Sequence, residues 1–405
     1  MIDLLRRNRD FRAVFAAQIV SFTGDWFATV AMLGLVIDRT GSGLAATAVF
    51  VVQTLPAFAL SALAGPAADR FDRRRLMVAV SLLQAGAACL FLLAGRGPII
   101  LAFVAQGLIS ALGTFFLPAS QAALPNLVDP DDLALATVMM SSTWGAMLAI
   151  GAALGGLFTL LFGRDAAFVA DAASFLAAAV LIGSLRRPTQ QRAPEASRGR
   201  MRPLADTAET VRYARSHPVV AALLGSKLGF GLVNGAVGML ALLATGTFHA
   251  GDGGTGLLLG ARGAGVMAGP FIARRLAVRG PAGILLACGL AGFVYGAGYL
   301  VVGTAPTLGV AAVGVLVAHL GGGAQWTLST YGLQAATPDF IRGRVFAADY
   351  ALVTLTMSAS FLVAGLVAEA TGPRLPTIVL AGVACAWGLA YLTLTRRLRT
   401  APAAA

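Results

Sequence analysis

Twelve runs of mostly apolar residues, each about as long as one bilayer crossing of roughly twenty residues, constrain this chain more than any other feature. They cover 11–37, 44–64, 75–94, 98–119, 136–162, 166–185, 218–245, 254–273, 281–302, 305–328, 345–369 and 374–395. Between them stand Gly, Pro and charge, as in Asp38-Arg39-Thr40-Gly41, Gly95-Arg96-Gly97-Pro98 and Thr371-Gly372-Pro373-Arg374. Of 405 residues, 58% are apolar and 12% charged. A soluble domain of that size needs more charge to cover its surface, so the composition belongs in a bilayer. The expected fold is an all-α membrane protein of twelve transmembrane helices in two pseudo-symmetric six-helix bundles. The first run is too long for a cleaved signal segment and reads as a retained span.

The net charge of +12 would suggest nucleic acid in a soluble chain. Here its distribution reads as topology instead. One set of loops holds Arg6, Arg7, Arg9, Arg12, Arg70, Arg73, Arg74, Arg75, eight arginines from Arg186 to Arg215, Arg274, Arg275, Arg279, Arg342, Arg344, Arg396, Arg397 and Arg399. The other set holds Arg39, Arg96, Arg164 and Arg374. Basic residues mark the inner side, which predicts cytoplasmic termini, a cytoplasmic central linker and an inner-membrane location. Residues 121–135 depart from the pattern: they fall on the inner side yet carry Asp129, Asp131 and Asp132 with no base.

The chain divides into 1–187, a linker over 188–216 and 217–405. Arg186 to Arg202 reads as flexible, followed by a short amphipathic helix with Leu204, Ala208 and Val211 on one face. The two halves repeat each other. Gln121-Ala-Ala-Leu-Pro125-Asn126 returns as Gln334-Ala-Ala-Thr-Pro338-Asp339, Thr40-Gly41-Ser42-Gly43-Leu44 as Gly253-Gly254-Thr255-Gly256-Leu257, and Gly65-Pro66 as Gly269-Pro270. Such parallel repeats are one plan for transporters.

Gly65-Pro-Ala-Ala-Asp69-Arg70-Phe-Asp72-Arg73-Arg74-Arg75 lies between the second and third spans. It resembles the loop 2–3 signature of the major facilitator superfamily, a Gly with an Asp four residues on and then a basic cluster. Ser21-Phe-Thr-Gly24-Asp25-Trp26, Leu124-Pro125-Asn126-Leu127-Val128, Asp171-Ala-Ala-Ser174-Phe175 and Arg342-Gly343-Arg344-Val345 resemble its drug–proton antiporter branch, the enterobactin-exporter-like and macrolide-efflux-like proteins. Gly151-Ala-Ala-Leu-Gly155-Gly156 in the fifth span departs from the Gly-Pro-rich signature of such antiporters by lacking the proline. The resemblance implies a central cavity lined by spans one, four, seven and ten, and a loop 2–3 that locks against span eleven. The lock residues would be Gly65, Asp69, Arg70, Arg73 and Arg74, with Asp349 accepting an arginine.

Asp25 sits near the middle of span one, where an ionised carboxylate costs several kcal/mol unless hydrated or paired. It is the candidate proton carrier; the other reading is an interhelical hydrogen bond by a permanently neutral acid. Gln18, Asp25 and Thr29 fall on one helical stripe, flanked by Ser21 and next to Trp26. Gln106, Ser110 and Thr114 line a face of span four, Asn234 lies in span seven, and His319, Gln325 and Trp326 lie in span ten. These are the candidate cavity residues, with interhelical glue as their alternative role. Lys227 and Arg262 are the bases at depth. Lys227 is expected to snorkel, and Arg262 to pair with an acid or hold an anionic substrate group. Asp171 is expected to make structural hydrogen bonds. Gly225/Gly229, Gly231/Gly235, Gly256/Gly260 and Gly292/Gly296 read as packing faces.

Together these features predict a monomeric secondary transporter, with proton-coupled efflux of a drug-like or siderophore-like molecule as the leading reading. The alternative is an uncoupled facilitator or lipid/lysolipid transporter of the same fold. Expected partners are a small-molecule substrate, protons and the bilayer, without nucleic acid. Cys89, Cys288 and Cys385 are isolated in apolar runs, and His217, His249 and His319 are far apart. Neither set has metal or redox spacing, and no cofactor motif is present, which argues against a membrane enzyme.

Overall fold

The computed structural model describes residues 2–190, 203–277 and 279–400, and no strand occurs among them. Lipid offers no hydrogen bonds, so a spanning backbone must satisfy itself, and each apolar run does so as a helix. The spans are α1 (Arg9–Thr40), α2 (Gly43–Arg70), α3 (Arg73–Arg96), α4 (Ile100–Leu127), α5 (Leu133–Phe162), α6 (Arg164–Gly183), α7 (Pro218–Thr247), α8 (Gly251–Ala277), α9 (Gly280–Thr304), α10 (Leu308–Ala336), α11 (Asp339–Thr371) and α12 (Arg374–Leu394). Twelve candidate membrane helices therefore stand where twelve were expected. Short helices Ile2–Arg7, Pro203–Ser216 and Arg396–Thr400 flank them. The linker segment 191–202 and the side chains of Leu204 and Ala208 lie outside the described residues; Val211 is exposed.

Several helices overrun their apolar runs. α4 continues to Leu127 and α10 to Ala336, so Gln121 to Asn126 and Gln334 to Ala336, expected in loops, form helix ends instead. Polar residues can continue a helix past the hydrocarbon because water or side chains satisfy the last carbonyls. Asn8 caps α1, accepting from the Phe11 N–H at 2.9 Å. At the other end, Gly41 adopts φ 60°, a left-handed conformation that lets its N–H reach Ile37 O. α7 is interrupted at Asn234 and ends in a π turn over Leu243–Thr247, a break that its continuous apolar run does not reveal.

The chain forms two compact units. Unit 1 comprises Met1–Gly41, Val52–Arg200 and Gly251–Gly256; unit 2 comprises Ser42–Val51, Met201–Ala250 and Leu257–Ala405. In unit 1, α1 packs on α5 and α6, and α3 packs on α4 and α6. In unit 2, α9 packs on α10 and α12, while α7 packs on α11 and α10. Small residues allow these approaches. A Cβ on Gly292 would lie 3.0 Å from Gly388 Cα, and one on Gly235 would lie 2.5 Å from Ser360 O. Gly225, expected on a packing face, instead has open space where a Cβ would go. Leu82, Leu160, Val180, Ile272 and Leu394 face outward, as lipid-facing residues do.

Two of the three acidic residues that broke the charge pattern, Asp129 and Asp132, are neutralised in unit 1. Arg7 pairs with Asp132, and Arg187 Nη1 lies 3.2 Å from Asp129 Oδ1. Asp10 accepts the backbone N–H groups of Arg186 and Arg187 at 3.0 and 2.9 Å. Asn8 Nδ2 donates to Leu127 O at 2.9 Å. The ends of α1, α4 and α6 are thereby tied together.

Candidate functional site

Unit 1 carries a polar stripe on α1. Gln18 Nε2 donates to Met140 O at 3.0 Å, and Thr29 Oγ1 accepts from Gln53 Nε2 at 3.0 Å. Both side chains are buried, while Ser21 is half-buried. On α4, Gln106 Nε2 donates to Ser110 Oγ at 3.2 Å, and Thr114 Oγ1 donates to Ser110 O at 2.9 Å. These two bonds of the trio are thus spent inside its own helix. Trp26 packs on α5, where a Cβ on Gly151 would lie 3.2 Å from its Cδ1.

Asp25 is half-buried and has no hydrogen-bond partner among the described residues. Its neighbour on α6 is Asp171, which is fully buried with both carboxyl oxygens unpartnered. The two carboxyl groups are close enough for their charges to interact. α1 and α6 meet at Gly24: a Cβ there would overlap Ser174 Oγ and lie 2.9 Å from Asp171 Oδ1. The structural hydrogen bonds expected of the Asp171 carboxyl are absent among the described residues; Ser174 Oγ donates to the Asp171 backbone carbonyl at 2.7 Å instead. Nothing in the spacing of Asp25 and Asp171 announced their approach, because they are on different spans. The signal available was that both are acids within apolar runs.

Unit 2 holds a second polar cluster. Lys227 is buried rather than snorkelling. Its Nζ lies 3.1 Å from Asp349 Oδ2, 3.1 Å from Thr330 Oγ1 and 3.8 Å from the Trp326 ring centroid. Asp349 was expected to receive a loop arginine, but Lys227 on the facing helix already holds it. In the same loop, Arg73 Nη1 donates to Ala122 O at 2.7 Å and Arg74 Nη2 donates to Gly183 O, both within unit 1. The surroundings of Gly65 and the side chains of Asp69 and Arg70 lie outside what is described. Gln325 Nε2 donates to Ser226 O, and Trp326 meets Phe230 edge-on at 5.6 Å. Asn234 is fully buried; its Nδ2 donates to Phe230 O at 3.3 Å and its Oδ1 has no partner.

Arg262 on α8 is near enough to Tyr295 and Tyr299 of α9 and to His319 of α10 for its charge to act on them. His319 Nε2 is 3.0 Å from Tyr299 Oη. Of the two roles expected of Arg262, pairing with an acid is not met: it makes no ion pair among the described residues, and its Nε has no hydrogen-bond acceptor. The two tyrosines escaped the sequence reading because an aromatic residue in an apolar span looks like ordinary core.

Twelve apolar helices that carry buried ionisable and polar side chains define an integral-membrane protein. Residues 5–404 match the family described as "Transmembrane secretion effector". The chain belongs to that family of the major facilitator superfamily. It is 26% identical over 241 residues to the "Uncharacterized MFS-type transporter YkuC" of Bacillus subtilis (strain 168), covering 58% of this chain and 56% of that one. It is 25% identical over 174 residues to the "Staphyloferrin A transporter" of Staphylococcus aureus (strain NCTC 8325 / PS 47), covering 41% and 43%. The chain thus spans about half the length of the curated relatives it matches. Among solved structures, a POT family transporter in complex with a thioalcohol-conjugated peptide superposes with TM-score 0.76 at 11% identity, over 97% of each chain. That likeness shows the fold.

Proposed function

We propose that the protein is a proton-coupled exporter of a drug-like or siderophore-like small molecule, in the drug–proton antiporter branch of its superfamily. The observation that carries this reading is the pair Asp25 and Asp171 in unit 1, unpartnered by any base among the described residues. Two adjoining carboxyls in a poorly hydrated site cannot both ionise cheaply, so the pair retains a proton and can exchange another. In this reading Asp25 is the group that water reaches, and Asp171 stands behind it as a partner in the same titration. Gln18, Ser21, Trp26 and Thr29 surround the proton site. Asn234, Gln325 and Trp326 belong to the substrate cavity, while Gln106, Ser110 and Thr114 contribute its polar wall. Rocking of 1–187 against 217–405 gives access to each side in turn. Loop 2–3 stabilises one of the two states. The protein is a monomer of the inner membrane; the arginine distribution supports its cytoplasmic termini. The family description and the staphyloferrin A transporter among the relatives support export of a metabolite of that kind.

The alternative of uncoupled transport, as a facilitator or a lipid/lysolipid carrier, draws on one observation. α5 runs from Leu133 to Phe162 without the proline of antiporter signatures. Growth panels in a pump-deleted host, spanning macrolides and siderophores, identify the substrate. The purified protein is then placed in proteoliposomes carrying an internal pH dye. Export should acidify or alkalinise the lumen in step with substrate, and Asp25→Asn should abolish that movement while the protein stays folded. Flux that ignores the pH gradient in the wild type, or coupling that survives Asp25→Asn, refutes the proposal.

A further inference from the structure

We infer that Arg262, Tyr295, Tyr299 and His319 in unit 2 form a binding site for a carboxylate group of the transported molecule. The inference rests on the export reading above and adds the substrate's chemical class. It begins with an uncompensated charge. Arg262 lies in the middle of α8, yet among the described residues no acid pairs with it. The acids of unit 2 whose side chains are described are engaged elsewhere: Asp349 with Lys227 and Glu369 with Ser42 Oγ. Lys227 also takes the cation–π contact with Trp326. A guanidinium stays charged at any ordinary pH, and leaving it unpaired inside a helical bundle costs several kcal/mol.

The second observation is independent of that charge. Tyr295 Oη and His319 Nδ1 are buried without any hydrogen-bond partner, on side chains only 2% and 1% exposed. The Tyr299–His319 contact cannot use up the donors of that pair. If Tyr299 donates to Nε2, the neutral ring carries its proton on Nδ1, which is then a free donor. If Nε2 donates to Tyr299 Oη, the phenol hydrogen is free instead. Either tautomer leaves one donor over, in addition to Tyr295 O–H and the guanidinium N–H groups. A cluster with surplus donors and a positive charge lacks an acceptor that carries negative charge.

The backbone brings the three helices into contact here. A Cβ on Gly265, one turn beyond Arg262, would overlap Leu316 O and lie 2.9 Å from His319 Cβ. A Cβ on Gly322 would lie 3.4 Å from His319 Nδ1 and 3.6 Å from Tyr295 Cδ2. The tyrosine rings are 4.7 Å apart, and Tyr295 meets the imidazole edge-on at 5.3 Å. This packing fixes the rings while their polar atoms remain unsatisfied. A planar carboxylate suits the guanidinium fork, with phenol and imidazole N–H or O–H groups taking its remaining lone pairs. A neutral amide of the same shape would leave the charge unanswered.

The test is ligand-induced thermal stabilisation of the full-length protein in phosphatidylcholine nanodiscs, with benzoate, citrate and inorganic phosphate as probes. Benzamide serves as the uncharged twin of benzoate. Benzoate or citrate should stabilise the wild type saturably and benzamide should not. Arg262→Gln should weaken that binding at least tenfold and Arg262→Lys less so. Tyr295→Phe, which keeps the ring and removes one oxygen, should weaken it severalfold and serves if the arginine variants do not fold. Equal response to benzamide, no response to either carboxylate, or a response unchanged in Arg262→Gln and Tyr295→Phe overturns the site. Stabilisation by phosphate alone, or by added phosphatidylglycerol alone and dependent on Arg262, makes it a phosphate or lipid-headgroup site and equally overturns the carboxylate assignment. The two readings fail separately. Loss of proton coupling in Asp25→Asn with no carboxylate binding removes only this inference. Carboxylate binding through Arg262 with coupling intact in Asp25→Asn removes only the proton role.

Discussion

Breaking the buried ion pair between Lys227 and Asp349 should destabilise the protein far more than removing both members together. The pair has its nitrogen and oxygen 3.1 Å apart, with side chains 1% and 6% exposed. Lys227→Met leaves Asp349 buried and unopposed, because its other oxygen, Oδ1, has no hydrogen-bond partner. The stranded acid can stay charged, or take a proton at pH 7 at a cost of about 4 kcal/mol from an ordinary carboxyl constant near ~3.9. The second route sets the ceiling. Asp349→Leu strands the ammonium, whose neutralisation from an ordinary constant near ~10.4 costs a similar amount, about 4–5 kcal/mol. Both estimates fall near the roughly 3–5 kcal/mol known for breaking buried pairs one side at a time. In the double variant no charge remains. It loses the hydrogen bond to Thr330 and the stacking on Trp326, together about 2 kcal/mol, and regains apolar packing. Reversible unfolding of the purified protein by denaturing detergent gives all four free energies. With singles costing about 4 and about 4–5 kcal/mol and the double about 2 kcal/mol, the expected coupling energy is roughly 6–7 kcal/mol. Singles that each cost under about 1 kcal/mol, or a double that costs their sum, would refute the claim that the site is dry and that charge neutralisation sets its energy.

Two further substitutions test the packing. Gly229→Ala would place a methyl group on the indole of Trp387, so the ring must move. Overpacking of that kind costs about 1–3 kcal/mol, and Gly229→Ala/Trp387→Leu should recover most of it in the same unfolding assay. Asp10→Ala removes the acceptor for two part-buried backbone N–H groups, those of Arg186 and Arg187. A loss of about 2–3 kcal/mol is expected, with faster proteolysis at the end of α6; unchanged proteolysis would mean these bonds do not hold that segment.

The number of spans, their approximate limits and the superfamily were legible in the chain itself. Each depends on local properties, namely a run long enough to cross lipid and a Gly, Pro or charged break. Asp25 also stood out locally, since an acid within an apolar run is unusual whatever surrounds it. Which group meets which was not legible. Asp171 read as a structural acid until α1 and α6 met at Gly24 and brought it to Asp25. Lys227 read as snorkelling, and Asp349 as the receiver of a loop arginine, until α7 and α11 paired them with each other. Tyr295 and Tyr299 looked like filler until Arg262 came near enough to act on them without a counter-charge. Periodicity along one helix shows which face a residue occupies, but not which residue on another helix it will meet. That depends on helix rotation and depth, set by close contacts of small residues such as Gly265 against α10 and Gly235 against α11. The hydrophobic pattern therefore fixed the crossings, and interhelical packing decided the chemistry between them.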